Sequence, residues 1–208
     1  GIGLMIARGL VECGVKTYIS SRTSEECFAT AEDLSQHGEC VAIPSDLSTL
    51  DGIQHFVQSF GEREEKLDIL VNNAGITHHK PFEDFPESEW DNVMDINLKS
   101  LFFLTQRLLE KLKQATDAKA PARVINIASI GGVMVLPMDN YAYTISKAGV
   151  IHLTQHLAMR LARDHITVNA ISPGIFPSKM TKISPDEKNS EISQRNPLGR
   201  IGTSEDIA

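Results

Sequence analysis

The sequence predicts a doubly wound, parallel α/β sheet of the Rossmann-like kind, held in a single dinucleotide-binding domain over residues 1–208. Three observations carry that prediction. Short apolar runs alternate with longer stretches of helical periodicity. Most of the runs are continuously apolar instead of alternating, which indicates a parallel sheet covered on both faces. The conspicuous small and polar residues fall just after the runs, where ligands bind in such sheets.

Residues 3–13 place Leu4, Ile6, Ala7, Leu10 and Val11 at helical spacing, with Gly14 as the stop. Residues 15–20 read as a strand, and Ser24 through Gln36 as a helix with Ser24 at its cap and Gly38 after it. The run 40–43 is a second strand, closing on Pro44-Ser45-Asp46. A helix over 50–65 leads to a third strand, Leu67 to Val71, and a polar loop over 72–86. One long helix is expected over about 88–114, then a Lys/Ala linker and the strand 123–128. The loop 129–139 holds Gly131, Gly132 and Pro137. A helix then runs to about 163, and Ile166 to Ile171 is the fifth strand, followed by Pro173-Gly174. No internal repeat or low-complexity tract interrupts the series.

Composition narrows the function classes. The 208 residues are 41% hydrophobic and 23% charged, enough for a sizeable core, and their formal net charge is -7. The acidic balance offers no electrostatic footprint for nucleic acid. No apolar run approaches the ~20 residues of a membrane-spanning helix. Cys13, Cys27 and Cys40 lack metal-ligand or CxxC spacing, so reduced thiols in a cytoplasmic protein are expected. The chain opens on Gly1 without a signal-peptide pattern and starts directly in a helix. It stops after Gly202-Thr203-Ser204-Glu205-Asp206, a helix being started and capped, so a domain cut at both ends is expected.

The loops after the strands carry the chemistry. Gly1-Ile2-Gly3 opens a helix whose backbone N–H groups can hold a diphosphate, although a plain helix start explains it equally well. Ser20-Ser21-Arg22 stands where a dinucleotide fold meets the adenosine ribose. An NAD site wants a carboxylate there, whereas hydroxyls and a guanidinium suit the 2′-phosphate of NADP, or simply a turn. Asp46, with Leu47 beside it, can accept from an adenine amino group or lead the next helix. Asn72-Asn73-Ala74-Gly75 combines amides able to tie strand ends together with small residues that admit a ligand. Pro173-Gly174 closes over a nicotinamide ring or makes an ordinary turn.

Tyr143 and Lys147 lie four apart, hence on one helix face. A phenol ordinarily titrates near 10, and an adjacent ammonium draws it towards the range useful for proton transfer. Ser129, at the end of the strand 123–128, is placed to point at the same carbonyl. His152 and His156 have metal-ligand spacing without a zinc-protease Glu or a third ligand, and read as a surface or subunit contact. His78 and His79 are expected in solvent, and Trp90, Phe82 and Phe85 as packing before the long helix.

Glycines opening a helix, Asn72-Asn73-Ala74-Gly75, Asn97, Ser129, Tyr143 with Lys147, and Pro173-Gly174 occur in an order that resembles the short-chain dehydrogenases/reductases over essentially the whole chain. The NADPH-dependent 3-oxoacyl carrier-protein reductases are nearest in appearance, through stretches such as Ile125-Asn126-Ile127-Ala128-Ser129 and Phe176-Pro177-Ser178. The resemblance implies Tyr143 as general acid, Lys147 as its tuner and ribose ligand, Ser129 as carbonyl partner and Asn97 as holder of a relay water. It implies NADP(H) contacts at Gly1, Ile2, Gly3, Ser21, Arg22, Asp46, Leu47, Asn73, Ala74, Gly75, Tyr143, Lys147, Pro173, Gly174 and Phe176, and no metal. A small ketone or acyl thioester, free or on acyl carrier protein, would be reduced to a secondary alcohol. A homodimer or tetramer would form through helices at about 97–113 and 146–163.

The same resemblance implies that the family's first strand, between 15–20 and 67–71, and its last strand are absent. Its neighbours would then leave backbone groups unpaired in the core, which is costly. Weak folding and weak NADPH binding by the 208-residue chain are expected, against which a saturable titration would count. A polyol or sugar dehydrogenase of the same family, and a non-catalytic NADP-sensing protein, are the competing readings.

Overall fold

The structure is a computed structural model that describes residues 1–178, 180, 181 and 196–208. Backbone contacts divide it into two compact units, Gly1–Pro44 with Pro173–Ala208, and Ser45–Ser172. Parallel strands alternate with helices throughout, as the sequence predicts.

In the first unit α1 (Ile2–Glu12) leads to β1 (Thr17–Ile19), and α2 (Ser24–Leu34) to β2 (Cys40–Ala42). The strands pair in parallel, Thr17 beside Cys40 and Ile19 beside Ala42. Ala7 and Val11 of α1 pack with Ala31 and Leu34 of α2 and with Cys40 into one core. The strand expected from residue 15 starts later for a local reason. Val15 N–H is spent on Leu10 O at 3.0 Å and Gly14 N–H on Val11 O at 2.9 Å. With Gly14 at φ 78°, this is a Schellman closure of α1. Thr23, not Ser24, takes the cap position of α2, in extended backbone. Near the end of the chain, Thr203 and Asp206 form the expected capping box around a short 3-10 turn.

The second unit contains α3 (Leu50–Gly61), β3 (Ile69–Asn72), α4 (Glu87–Met94), α5 (Ser100–Arg107), α6 (Leu109–Gln114), β4 (Ala122–Ile127), α7 (Tyr141–Leu161) and β5 (Ile166–Ile171). Its sheet is parallel in the order β3-β4-β5. The single helix expected over 88–114 is interrupted twice. Asp95–Lys99 forms a π turn, and Leu108, at φ -90° and ψ 0°, separates α5 from α6.

A buried polar ladder joins helices and sheet. Asn72 and Asn126 are register partners, so they share one sheet face. Asn72 Nδ2 donates to Asn126 Oδ1 at 2.9 Å and to Thr105 Oγ1 at 3.1 Å. Asn126 Nδ2 donates to Thr154 Oγ1 at 2.9 Å. Both threonine hydroxyls donate back into their own helices, to Leu101 O and Val150 O, which leaves them acceptors towards the amides. The direction of every bond in the ladder follows. It fixes α5 and α7 over the same face, with Leu101, Ala128 and Val150 as the apolar core beneath.

Candidate active site

The site in the second unit is built on α7. Ala142, Ser146, Lys147, Val150, Thr154 and Leu161 are its buried residues, a stripe at helical spacing turned to the sheet. Lys147 lies on that stripe with 4% exposure. Its Nζ donates to Ile127 O, near the end of β4, at 2.7 Å and sits 5.8 Å from the centre of the Tyr143 ring. The other two N–H bonds of the ammonium have no acceptor among the described residues. Burial lowers the Lys147 pKa to about 8, because a low-dielectric surrounding disfavours the charged form.

Asn97 occupies the middle of the π turn and is 1% exposed. Its Oδ1 accepts from Ile76 N–H at 2.8 Å. Its Nδ2 donates to Ile76 O and to Ser146 Oγ, each at 3.0 Å. Ser146 in turn donates to Tyr143 O at 2.7 Å. One buried serine thus ties the π turn to the helix turn that carries Tyr143. The amide of Asn97, expected to hold a water, is already engaged by protein.

Gly75 stands where the structure brings three predicted elements together. A Cβ there would lie 3.3 Å from Asn97 Oδ1 and 3.4 Å from Lys147 Nζ. The close backbone approach read from Asn73-Ala74-Gly75 is therefore present, with Asn73 half-buried and Ala74 exposed. Ser129 is buried at the end of β4, and its hydroxyl accepts from Gly131 N–H at 3.1 Å. The 3-10 turn Ile130–Gly132 presses on α7, where a Cβ at Gly132 would come within 2.6 Å of the Lys147 carbonyl carbon. Only glycine fits that crossing. Tyr141 leads α7 with its hydroxyl on Asp139 Oδ1 at 2.7 Å, which raises its pKa, and takes the rings of Phe82 and Phe85 edge-on.

Asp46 and Leu47 sit apart from this group, before α3. Asp46 Oδ1 accepts from the backbone N–H and hydroxyl of Ser48 at 3.0 and 2.7 Å, the turn geometry of a helix-leading Asp. His152 and His156 are exposed on α7 with ring centres 4.9 Å apart.

The predicted residues of the first unit fall at loop and helix starts. Gly1 is the cap of α1, followed by Ile2 and Gly3 in its first turn, where N–H groups point outward from the helix end. Arg22 is exposed after β1, and no ion pair or hydrogen bond holds its guanidinium among the described residues. Ser20 Oγ is buried without a partner, while Ser21 Oγ donates to Thr23 O at 3.2 Å. A free guanidinium beside an orphaned hydroxyl fits an anionic group such as a ribose 2′-phosphate. Pro173 and Gly174 lead to Phe176, which is buried against Gly202, and Gly202 N–H donates to Ile175 O at 2.8 Å. Residue 179 and residues 182–195, which follow Phe176, lie outside the described residues.

Sequence reasoning missed Ser146 and the pair Asn126 and Thr154. Their side-chain hydroxyl and amide partners are 28 to 54 residues away in the chain, and no local spacing announces them.

Comparison with known proteins places this geometry. The family model described as enoyl-(acyl carrier protein) reductase matches residues 1–208. The rhamnolipids biosynthesis 3-oxoacyl-[acyl-carrier-protein] reductase of Pseudomonas aeruginosa is 44% identical over 210 residues, covering 100% of this chain and 82% of the relative. The 2-dehydro-3-deoxy-D-gluconate 5-dehydrogenase of Bacillus subtilis is 39% identical over 214 residues, covering 100% of this chain and 80% of the relative. Among solved structures, the Pseudomonas aeruginosa RhlG/NADP active-site complex superposes with a TM-score of 0.93 at 43% identity, covering 100% of this chain and 82% of that one.

Proposed function

We infer that this chain, which belongs to the short-chain dehydrogenase/reductase family, is an NADPH-dependent ketone reductase that converts 3-oxoacyl thioesters to secondary alcohols. The observation that carries the reading is the buried Lys147 ammonium beside the Tyr143 ring, with two of its donors unfilled. A structural lysine at such depth would satisfy its charge, since leaving it uncompensated is expensive. Here the unused donors are assigned to the hydroxyls of the nicotinamide ribose.

NADPH, once bound, would supply the hydride for the carbonyl carbon. Tyr143 gives its phenolic proton to the carbonyl oxygen as negative charge develops there, and the Lys147 ammonium stabilises the phenolate left behind. Ser129 donates a hydrogen bond to the same oxygen. Asn97 spends its amide on Ile76 and Ser146, so the relay water is assigned to the backbone of the π turn, where the hydrogen-bond ladder is shifted by one residue. Gly1, Ile2 and Gly3 are assigned to the diphosphate and Arg22 with Ser21 to the 2′-phosphate. Asp46 and Leu47 are assigned to adenine, and Asn73, Ala74, Gly75, Pro173, Gly174 and Phe176 to the ribose and nicotinamide. The measurement that decides is NADPH oxidation with acetoacetyl thioester. Turnover supports the reading, and its absence with that and every other ketone leaves the NADP-sensing alternative.

The second reading, a reductase of sugar ketones, draws on the Bacillus subtilis relative. A panel of 3-oxoacyl thioesters against keto-sugar acids separates the two by kcat/KM. Self-association is also proposed. Met94, Leu98, Phe102, Phe103 and Leu153 line a depression of about 460 Å³ beside His152 and His156, on the helices assigned to a dimer core. No helix among the described residues is long and apolar enough to cross a membrane. Cys13, Cys27 and Cys40 are free thiols, consistent with the cytoplasmic location proposed here.

A further inference from the structure

His152 and His156 lie about one helical turn apart on α7, and both are exposed on the same face. Their ring centres are 4.9 Å apart and the ring planes stand at 81°. Apart from that edge-on contact, no hydrogen bond or ion pair occupies either imidazole among the described residues. Two imidazoles sharing one ion through bonds of about 2.0–2.1 Å, at an angle of about 100°, bring their ring centres to about 5 Å. The observed separation is that of a chelating pair.

Within one copy the pair is only half of a site. Among the described residues no third His, Cys, Asp or Glu joins it. Asp95, which lines the same depression, is engaged by Lys99 Nζ at 2.9 Å. A closed structural zinc site takes four ligands. The missing two have a source on this face. Leu98, Phe102, Phe103 and Leu153 line the depression beside the imidazoles, on the surface assigned to self-association. A two-fold contact sets a surface against itself, so a pair at the axis meets its own copy.

We propose that His152 and His156 bind a divalent transition ion of the zinc class, one ion per two chains, with the same pair from a second copy closing a four-imidazole site on the two-fold axis. The proposal rests on the self-association reading and adds the ligand that locks it. Neutral imidazoles suit zinc, copper and nickel, whereas magnesium and calcium seek oxygen. The apolar side chains beside the pair limit the access of water to the ion. Its role is assembly, not hydride transfer: both rings are on the exposed face of α7, while Lys147 belongs to the buried stripe.

The test strips the 208-residue chain with a chelator and titrates it with zinc chloride, following heat by calorimetry and mass by sedimentation. Binding should saturate at one zinc per two chains. With free zinc at about a hundred times its dissociation constant, the association constant should rise about a hundredfold. Magnesium at the same concentration should leave it unchanged. Cobalt(II) in place of zinc should give the strong visible absorption of a tetrahedral site. The His152→Gln/His156→Gln variant should lose both the heat and the zinc-driven association, with the metal-free melting temperature of wild type showing an intact fold. Metal-free monomers that pair only with zinc also support the proposal. Saturation at one zinc per chain without a gain in mass overturns it, as does zinc-driven association that survives the loss of both histidines. A weak, octahedral cobalt spectrum overturns it too. Metal-free chains that associate while zinc adds nothing sink the ion and leave the association face standing. Chains that stay monomeric with and without zinc sink both.

Discussion

Taking an ammonium out of water favours its neutral form, and Lys147 falls from an ordinary 10.5 to about 8. Below pH 8 folded and unfolded chains both hold the proton, so the whole burial penalty is present. Between about 8 and 10.5 the unfolded chain binds more protons, and stability rises with pH. The penalty at neutral pH is about 3 kcal/mol. Lys147→Met removes it and leaves Ile127 O without its donor, at a cost of about 1 kcal/mol. The variant should therefore be about 2 kcal/mol more stable at pH 7, with the advantage fading towards pH 10.5, as thermal melts at both values would show. It should also be inactive. In the wild-type chain, kcat/KM should decline as pH rises through about 8 and the ammonium of the free enzyme is lost, a limb visible in its pH profile. Tyr143→Phe removes the acid and keeps the ring. A loss of about 10²–10⁴-fold in kcat is expected, with NADPH affinity by fluorescence titration unchanged. Equal weakening of binding would reassign Tyr143 to the cofactor alone.

At the scale of elements, the Thr105–Asn72–Asn126–Thr154 ladder is the joint between sheet and helices. Asn126 is fully buried, so Asn126→Ala strands one N–H of Asn72 Nδ2, the other staying on Thr105 Oγ1, together with the lone pair of Thr154. About 2–3 kcal/mol should be lost, a fall in Tm of roughly 5–10 °C, read by calorimetry. The strands were legible because each is a short apolar run with a stop after it. Their ends were less so: Val15 belongs to the closure of α1, and Leu67 N–H turns away to Lys111 O at 3.0 Å. The π turn was not legible at all. Asp95 to Lys99 carries the same apolar spacing as the helices around it, and the extra residue shows only in the hydrogen-bond ladder. Likewise Tyr143, Lys147, Ser129 and Gly75 announce themselves by local pattern, whereas Ser146 works through a partner 49 residues distant.

For the molecule as a whole, the proposed self-association face is the testable surface. Phe102 is 37% exposed beside the depression between α5 and α7. Phe102→Glu puts a charge where a partner copy would bury it, so sedimentation should show a monomer where the wild-type chain associates. An unchanged mass would move the interface elsewhere.

The π turn gives that face and the active site a common origin. An extra residue advances a helix by about 100° of rotation, so everything after Asp95–Lys99 is set by that single offset. Deleting one residue there would restore an uninterrupted helix and turn Phe102 and Phe103 about a quarter of the way round its axis relative to α4. No regular helix could then keep Asn97 on Ile76 and Ser146 while presenting the same residues beside α7. The phase of Asn97 and the phase of the proposed association face are one setting, and neither can drift without the other.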